Sequence, residues 1–426
     1  MTWTAGAGPR PAPRPASPPA LRPASPSVLP AVPPPLPRKL GTRGILFTVL
    51  VAVALFLGAI VIALVFFASG KPDAIAIGFL LAILPVGPLV ACYLWLDRYE
   101  PEPLRLLLLS FLWGALAATS VALILQSVEQ VVAGPSDALT GVVVAPLTEE
   151  GAKGVFVLLL LWSRRNVIDG VLDGLVYAGL VGIGFAFVEN ILYFAGAYTG
   201  GPRFGSGGIG AATGLFVVRG VFSPFAHPLF TSMTGIGVGI AVITRRRWLR
   251  IVAPIVGYLV AVALHASWNA SAFLGGGQAF LLTYVFAMVP GFSVLVGLAI
   301  WFRVREGAML GRSLTDLAYR GYLQPAEVPW LAKLPARRQA RKNAARGGGP
   351  LAERLMKDYQ HQAIELATLH NRVLRGTAPR DYQQRGAQMA QRLWALRMHL
   401  LGPQNVVAPS PTPTPLPAEA RRAGWA

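Results

Sequence analysis

The chain has 426 residues, of which 54% are hydrophobic and 13% charged, with a mean hydropathy of +0.53, values that exclude a polar soluble domain and describe a polytopic membrane protein. The net charge of +19 raises nucleic acid as a partner, but the basic residues sit mostly in tails and between apolar runs. That placement fits anionic lipid headgroups instead, so the lipid bilayer and not nucleic acid is the expected contact.

Residues 1–44 are rich in Pro, Ala and Arg and contain no apolar core of a signal peptide, so the sequence predicts a disordered tail with polyproline character at Pro33, Pro34 and Pro35. Apolar runs long enough to cross about 30 Å of hydrocarbon follow at 45–68, 74–96, 104–132, 140–162, 171–197, 214–243, 251–274 and 279–302. The single cysteine, Cys92, lies inside the second run, which removes a disulfide framework and a thiolate metal site within one chain. The third and sixth runs are long, with Glu129 expected at the wet end of the third and Arg219 at the start of the sixth.

Basic residues orient the bundle. Arg98 and Arg105, Arg164 and Arg165, and Arg245, Arg246, Arg247 and Arg250 occupy the turns after runs two, four and six. The alternate turns carry only Lys71, then Arg203 and Arg219. The Arg-rich turns and both tails are therefore expected on the cytoplasmic side of a bacterial cell membrane. The fold class read here is all-α: a membrane helix bundle of about eight spans over 45–302, with a cytoplasmic helical region over 303–426. In that region 351–375 and 380–401 carry apolar residues at helical spacing around Gly376 and Pro379, so 351–401 reads as a helical hairpin. Arg337, Arg338, Arg341 and Lys342 before it are expected against headgroups, and Pro409 to Pro417 reads as disordered. His361, His370 and His399 have no metal-like partner at ligand spacing and read as surface or packing residues.

Chemistry concentrates in the fourth run, where Glu149, Glu150 and Lys153 interrupt apolar sequence. Ionisable residues at that depth are costly, face a protein interior or a watery cavity, and usually have a function. Glu149 and Lys153 are four apart, a spacing that lets them meet, while Glu150 is turned about 100° around the axis and is expected to orient a water, a ligand or a neighbouring helix. Later runs add Phe185, Glu189 and Asn190, then His227, then His265 and Asn269. Counting in from the outer ends places Glu149, His265, Glu189 and His227 between ~12 and ~14 Å deep, one level shared by four helices. A buried ion pair that only locks helices in register is the plain alternative.

Carboxylates, imidazoles and an amide without a Ser-His-Asp or Cys-His set suit activation of a water. A Glu kept ionised by Lys153 takes the proton, and His or Asn stabilises the oxyanion or protonates the leaving group. Glu149, Glu189, His227 and His265 could equally hold a divalent metal such as zinc, although no His-Glu-x-x-His helix is present. Two other classes fit the same residues: a proton-coupled transporter, which lacks support from any internal repeat, and an inactive membrane scaffold.

The set Glu149-Glu150-x-x-Lys153, Phe185-x-x-x-Glu189-Asn190, His227 and His265-x-x-Trp268-Asn269 resembles the ordered motifs of the PrsW family of intramembrane proteases. The turn Asp97-Arg98-Tyr99-Glu100-Pro101-Glu102-Pro103 is similar to a stretch those proteins share, and the resemblance covers roughly 74–302. The resemblance implies a relation to type II CAAX prenyl endopeptidases, but Phe-x-x-x-Glu stands here where those have Phe-x-x-x-His, which argues against a CAAX substrate. It further implies cleavage of a single-pass membrane protein such as an anti-sigma factor, with Glu149 of the pair as general base, and leaves the metal open.

Overall fold

The structure, a computed structural model, describes residues 41–134, 137–163, 167–201, 204–274 and 276–401. The N-terminal tail to residue 40, Arg164, Arg165, Arg203 and Pro409 to Pro417 lie outside the described residues. The described residues are helical apart from the connections between helices, with one isolated bridge between Gly201 and Gly205.

Helices α1 (Thr42–Ala68), α2 (Pro72–Leu96) and α3 (Leu104–Ala133) are followed by α4 (Ala145–Ser163) and α5 (Val171–Thr199). Then come α6 (Ile209–Phe216), α7 (Ala226–Ile243), α8 (Leu249–Leu274) and α9 (Gln278–Tyr319). Seven helical stretches among the described residues are long and apolar enough to cross a membrane, not eight, with α6 and α7 counted together. The fourth expected span, 140–162, is also helical, a π turn at Thr140–Val144 leading into α4, but Glu149, Glu150 and Lys153 make it too polar to count on composition.

The bundle is built around α5. Apart from Asp173, Glu189 and Asn190 it is almost uniformly apolar, and 94% of its most apolar stretch is buried, against 11% to 22% for most of the other spans, whose apolar faces remain exposed. A helix with no polar face belongs in the middle of a bundle. Close approach to its neighbours needs small residues. A methyl added at Gly184 would overlap the Phe111 carbonyl of α3, and one at Gly174 the Gly235 carbonyl of α7. One at Gly182 would stand 2.8 Å from the carbonyl oxygen of His227, so this glycine sets how near α7 can bring its imidazole.

The C-terminal region differs from the expected boundary. α9 runs without a break across residue 303 for 42 residues, about 63 Å at 1.5 Å per residue, so it leaves the bilayer as one rod. It then packs on α10 (Leu334–Leu374) and α11 (Tyr382–Leu401), whose apolar faces enclose Leu310, Leu314, Tyr359, Ile364 and Leu396. α10 starts earlier than the periodicity predicts and kinks at Gly348 and Gly349. His370 bonds Asp316, His361 pairs with Glu365 at 3.4 Å, and His399 contacts the Ala395 carbonyl at 2.9 Å.

Arg337 corrects an expectation. It is buried rather than turned to headgroups: Nη1 donates to the Tyr99 carbonyl at 2.7 Å and Nε to the Leu331 carbonyl at 2.5 Å. Thr368 donates to Glu100 at 2.6 Å, so the turn 97–103 is the seat on which the C-terminal helices rest. In the same turn the Glu102 N–H donates to Asp97 Oδ2 at 2.9 Å, and Tyr177 of α5 donates to Glu102 at 2.7 Å. Burial pushes the Asp97 carboxyl up to about 8 from 3.8, and repulsion by Asp173 adds to it against the opposing Glu102 N–H. A carboxyl raised in the folded state gives stability that is full below its unfolded pKa and is lost as pH rises through the folded value. Wild-type protein is therefore expected to lose thermal stability from about pH 4 to about pH 8, and Asp97→Asn, neutral throughout, to lose less. Equal slopes in melts of the two proteins would remove Asp97 as the source.

Candidate active site

Four elements bring the ionisable residues together. α4 supplies Glu149, Glu150 and Lys153, all buried on its inner face. α5 supplies Phe185, Glu189 and Asn190. α6 continues as a π turn, Val217–Phe222, and the chain breaks at Ser223 and Pro224 because proline has no N–H to continue the ladder. It restarts as α7, so His227 sits in a first helical turn. α8 supplies His265, and the Phe230 ring stacks on that imidazole at 5.0 Å.

Lys153 is the hub. Its ammonium, fully buried, is 2.8 Å from Glu150 Oε1, 3.4 Å from Glu149 Oε2 and 3.0 Å from His227 Nδ1, and lies 3.7 Å from the Phe185 ring centre. The sequence paired it with Glu149 at four residues' separation, whereas the shorter contact is with Glu150 at three. An ammonium can only donate, so His227 Nδ1 accepts and Nε2 carries the proton. That Nε2 donates to Glu189 Oε2 at 2.8 Å.

Glu150 is not turned away from the cluster. It is the most fully bonded carboxylate there, taking bonds from Lys153 at 2.8 Å, Thr231 at 3.0 Å and His265 Nδ1 at 3.1 Å. Glu149 is held more loosely, by Gln126 at 3.2 Å and Lys153 at 3.4 Å. With its Nδ1 proton directed to Glu150, His265 turns the Nε2 lone pair toward Glu149 Oε2, 3.8 Å away. Two acceptors then converge on one point, where both can take protons from a water or bind one cation.

Glu149, His227 and His265 each offer a ligand atom within 4.8 Å of the others. One carboxylate and two imidazoles make a catalytic zinc donor set with a fourth position open, so the residues fit a metal, which would compete with Lys153 for His227 Nδ1. Glu189, the fourth expected ligand, is outside this trio and grips the opposite nitrogen of His227, the place of a supporting carboxylate. Asn269 is drawn off as well: its Nδ2 donates to the Gly141 carbonyl at 2.7 Å and ties α8 to the π turn before α4.

The sequence reading missed two members. Arg219, read as a membrane-boundary arginine, lies within the bundle, bonded to Glu189 and donating through Nε to Asn190 Oδ1 at 2.7 Å. Gln126 of α3 holds Glu149. The only available signal was a lone polar residue in an apolar run, which does not name its partner. A pocket lined by Asn190, Arg219, Ser223, Pro224 and Trp268 leads to His227.

Residues 102–298 match the family model described as PrsW family intramembrane metalloprotease. Over that stretch the chain carries a PrsW-family domain. It is 29% identical over 170 residues to "Protease PrsW" of Geobacillus kaustophilus, covering 39% of this chain and 68% of that protein. Against "Protease PrsW" of Clostridioides difficile it is 36% identical over 121 residues, 27% of this chain and 49% of the relative. Against that of Bacillus subtilis it is 28% identical over 114 residues, 27% of this chain and 52% of the relative. The chain thus spans between about half and two thirds of the length of these PrsW relatives. No solved structure matches it. The family match contains every residue of the cluster and stops short of the C-terminal helices α10 and α11.

Proposed function

We propose that this chain is an intramembrane endopeptidase that hydrolyses a peptide bond of a membrane-spanning protein, with Glu149 activating the water. The observation that carries the reading is the contrast within the carboxylate pair. Glu150 is saturated by three donors, whereas Glu149 has only longer contacts and faces the free nitrogen of His265. A general base must be free to receive a proton. Lys153 supports the charged form of Glu149, Glu150 locks Lys153 and His265 in place, and Glu189 fixes the proton on His227 Nε2. A zinc held by Glu149, His227 and His265 would polarise the carbonyl and acidify the water when bound. About one equivalent of zinc in active protein, lost together with activity on chelation and restored with it, would assign water activation to the metal. Activity in metal-free protein would assign it to Glu149 alone.

The substrate class follows from depth: a bond cleaved at this level belongs to a membrane-spanning segment, and a single-pass anti-sigma factor is the partner the family resemblance favours. Membrane-proteome fragments from cells carrying wild type and Glu149→Gln test the reading. Fragments of single-span proteins should appear only with wild type, and identical fragment sets would reject it.

The orientation belongs to the same proposal, with both tails cytoplasmic in the cell membrane. In a Cys92→Ser background, the exposed positions Ser206 and Arg338 make suitable single-cysteine sites. An impermeant maleimide added to intact cells should label Ser206→Cys and spare Arg338→Cys. The reverse pattern would invert the topology.

A further inference from the structure

Hydrolysis of an amide puts negative charge on the carbonyl oxygen in the transition state, and a donor fixed at that point is among the largest contributions a site makes. Asn269, the amide the sequence offered for this task, spends its donor on Gly141. Lys153 is enclosed by its own partners, with no exposed side-chain surface. Arg219 is the cation that reaches the pocket. Its Nε donates to Asn190, its Nη2 to Glu189, and its plane stacks 4.0 Å from the Tyr193 ring centre. Nη1 makes no hydrogen bond among the described residues, and the side chain, 19% exposed, lines the pocket that ends at His227. Glu189 Oε2 accepts from both Arg219 and His227, and the guanidinium and the imidazole line the same pocket.

We propose that Arg219 is a further catalytic residue, donating through Nη1 to the scissile carbonyl oxygen and holding the oxyanion. This rests on the hydrolytic reading above. As the water oxygen bonds to the carbonyl carbon, its proton passes to Glu149 and the carbonyl π pair moves onto oxygen, where Arg219 binds it without giving up its proton. The pair then returns, the C–N bond breaks, and the proton on Glu149 passes to the leaving nitrogen. Arginine suits both tasks because its planar fork can hold Glu189 with one edge and present a second N–H₂ elsewhere, which a lysine cannot do.

The rival role is a plain counter-ion for Glu189. The test uses purified full chain in micelles and a quenched fluorescent single-span peptide carrying a cleavage sequence from the proteome comparison. Arg219→Lys and Arg219→Ala are expected to lower kcat about 10²–10³-fold, with KM unchanged, the pattern of a contact made only in the transition state. An added alkylguanidine should restore Arg219→Ala and leave Glu189→Ala unrestored. The double variant Glu189→Gln/Arg219→Met removes both charges together and so carries the comparison where Arg219→Ala does not fold. If it cleaves more slowly than Glu189→Gln alone, Arg219 acts on the substrate. If the two are equal, Arg219 is a counter-ion and the proposal falls. Wild type that leaves the peptide uncut brings down the hydrolytic reading itself, a separate outcome from active wild type with active Arg219 variants.

Discussion

Glu149→Gln is expected to lower cleavage about 10²–10⁴-fold, the usual loss when a general base is removed, and to leave the protein folded. Glutamine keeps the shape and an oxygen that can still accept from Gln126 and Lys153, whose present distances of 3.2 and 3.4 Å mark modest bonds. Glu150→Gln should behave in the opposite way. Three donors point at that carboxylate; an amide keeps one oxygen for Lys153 and His265 and an NH₂ group that only the Thr231 hydroxyl can accept, and it removes the charge that faces the Lys153 ammonium. Breaking a buried ion pair from one side typically costs about 3–5 kcal/mol, so Glu150→Gln should melt far below Glu149→Gln in detergent. A stable Glu150→Gln without activity beside an active Glu149→Gln would exchange the two roles. Normal cleavage by both and by the double variant would leave a carrier or a scaffold.

The reason for this division was only partly visible in the sequence. Hydropathy with helical rise is enough to put Glu149, Glu189, His227 and His265 on separate helices at one depth, because both quantities depend on position along a chain. Which atom meets which depends on rotation about each helix axis and on side-chain torsions. π turns at Thr140–Val144 and Val217–Phe222 alter that rotation just where the site is built, one before the carboxylate pair and one around Arg219. Such turns are frequent at functional sites, and a 3.6-residue period does not anticipate them. Arg219 was misread for a related reason: its partner Glu189 lies 30 residues back on another helix, and hydropathy treats a neutralised arginine as a boundary. The all-α polytopic bundle itself was legible, since long apolar runs in lipid leave the backbone little choice but helix. The unbroken course of α9 past residue 303 was not, because polarity changes there while helix propensity does not.

Lys153→Met is expected to be the most damaging single change in the bundle. It leaves Glu150 with no exposed surface and no cation, takes the donor from His227 Nδ1, and removes the charge held over Phe185. The cost should again be about 3–5 kcal/mol, since an uncompensated charge remains buried. Adding Glu150→Gln to Lys153→Met removes that charge, and a buried pair replaced on both sides is often close to neutral in stability. The double variant should therefore melt well above Lys153→Met, and a double-mutant cycle should return a coupling of about 1–3 kcal/mol between the two residues. Cleavage should not return with stability, because Glu149 and His227 still lack the ammonium that holds them 3.4 and 3.0 Å away. Additive losses would show that Lys153 and Glu150 are not paired. Recovered cleavage in the double would show that Lys153 serves folding and takes no part in setting the charge of Glu149.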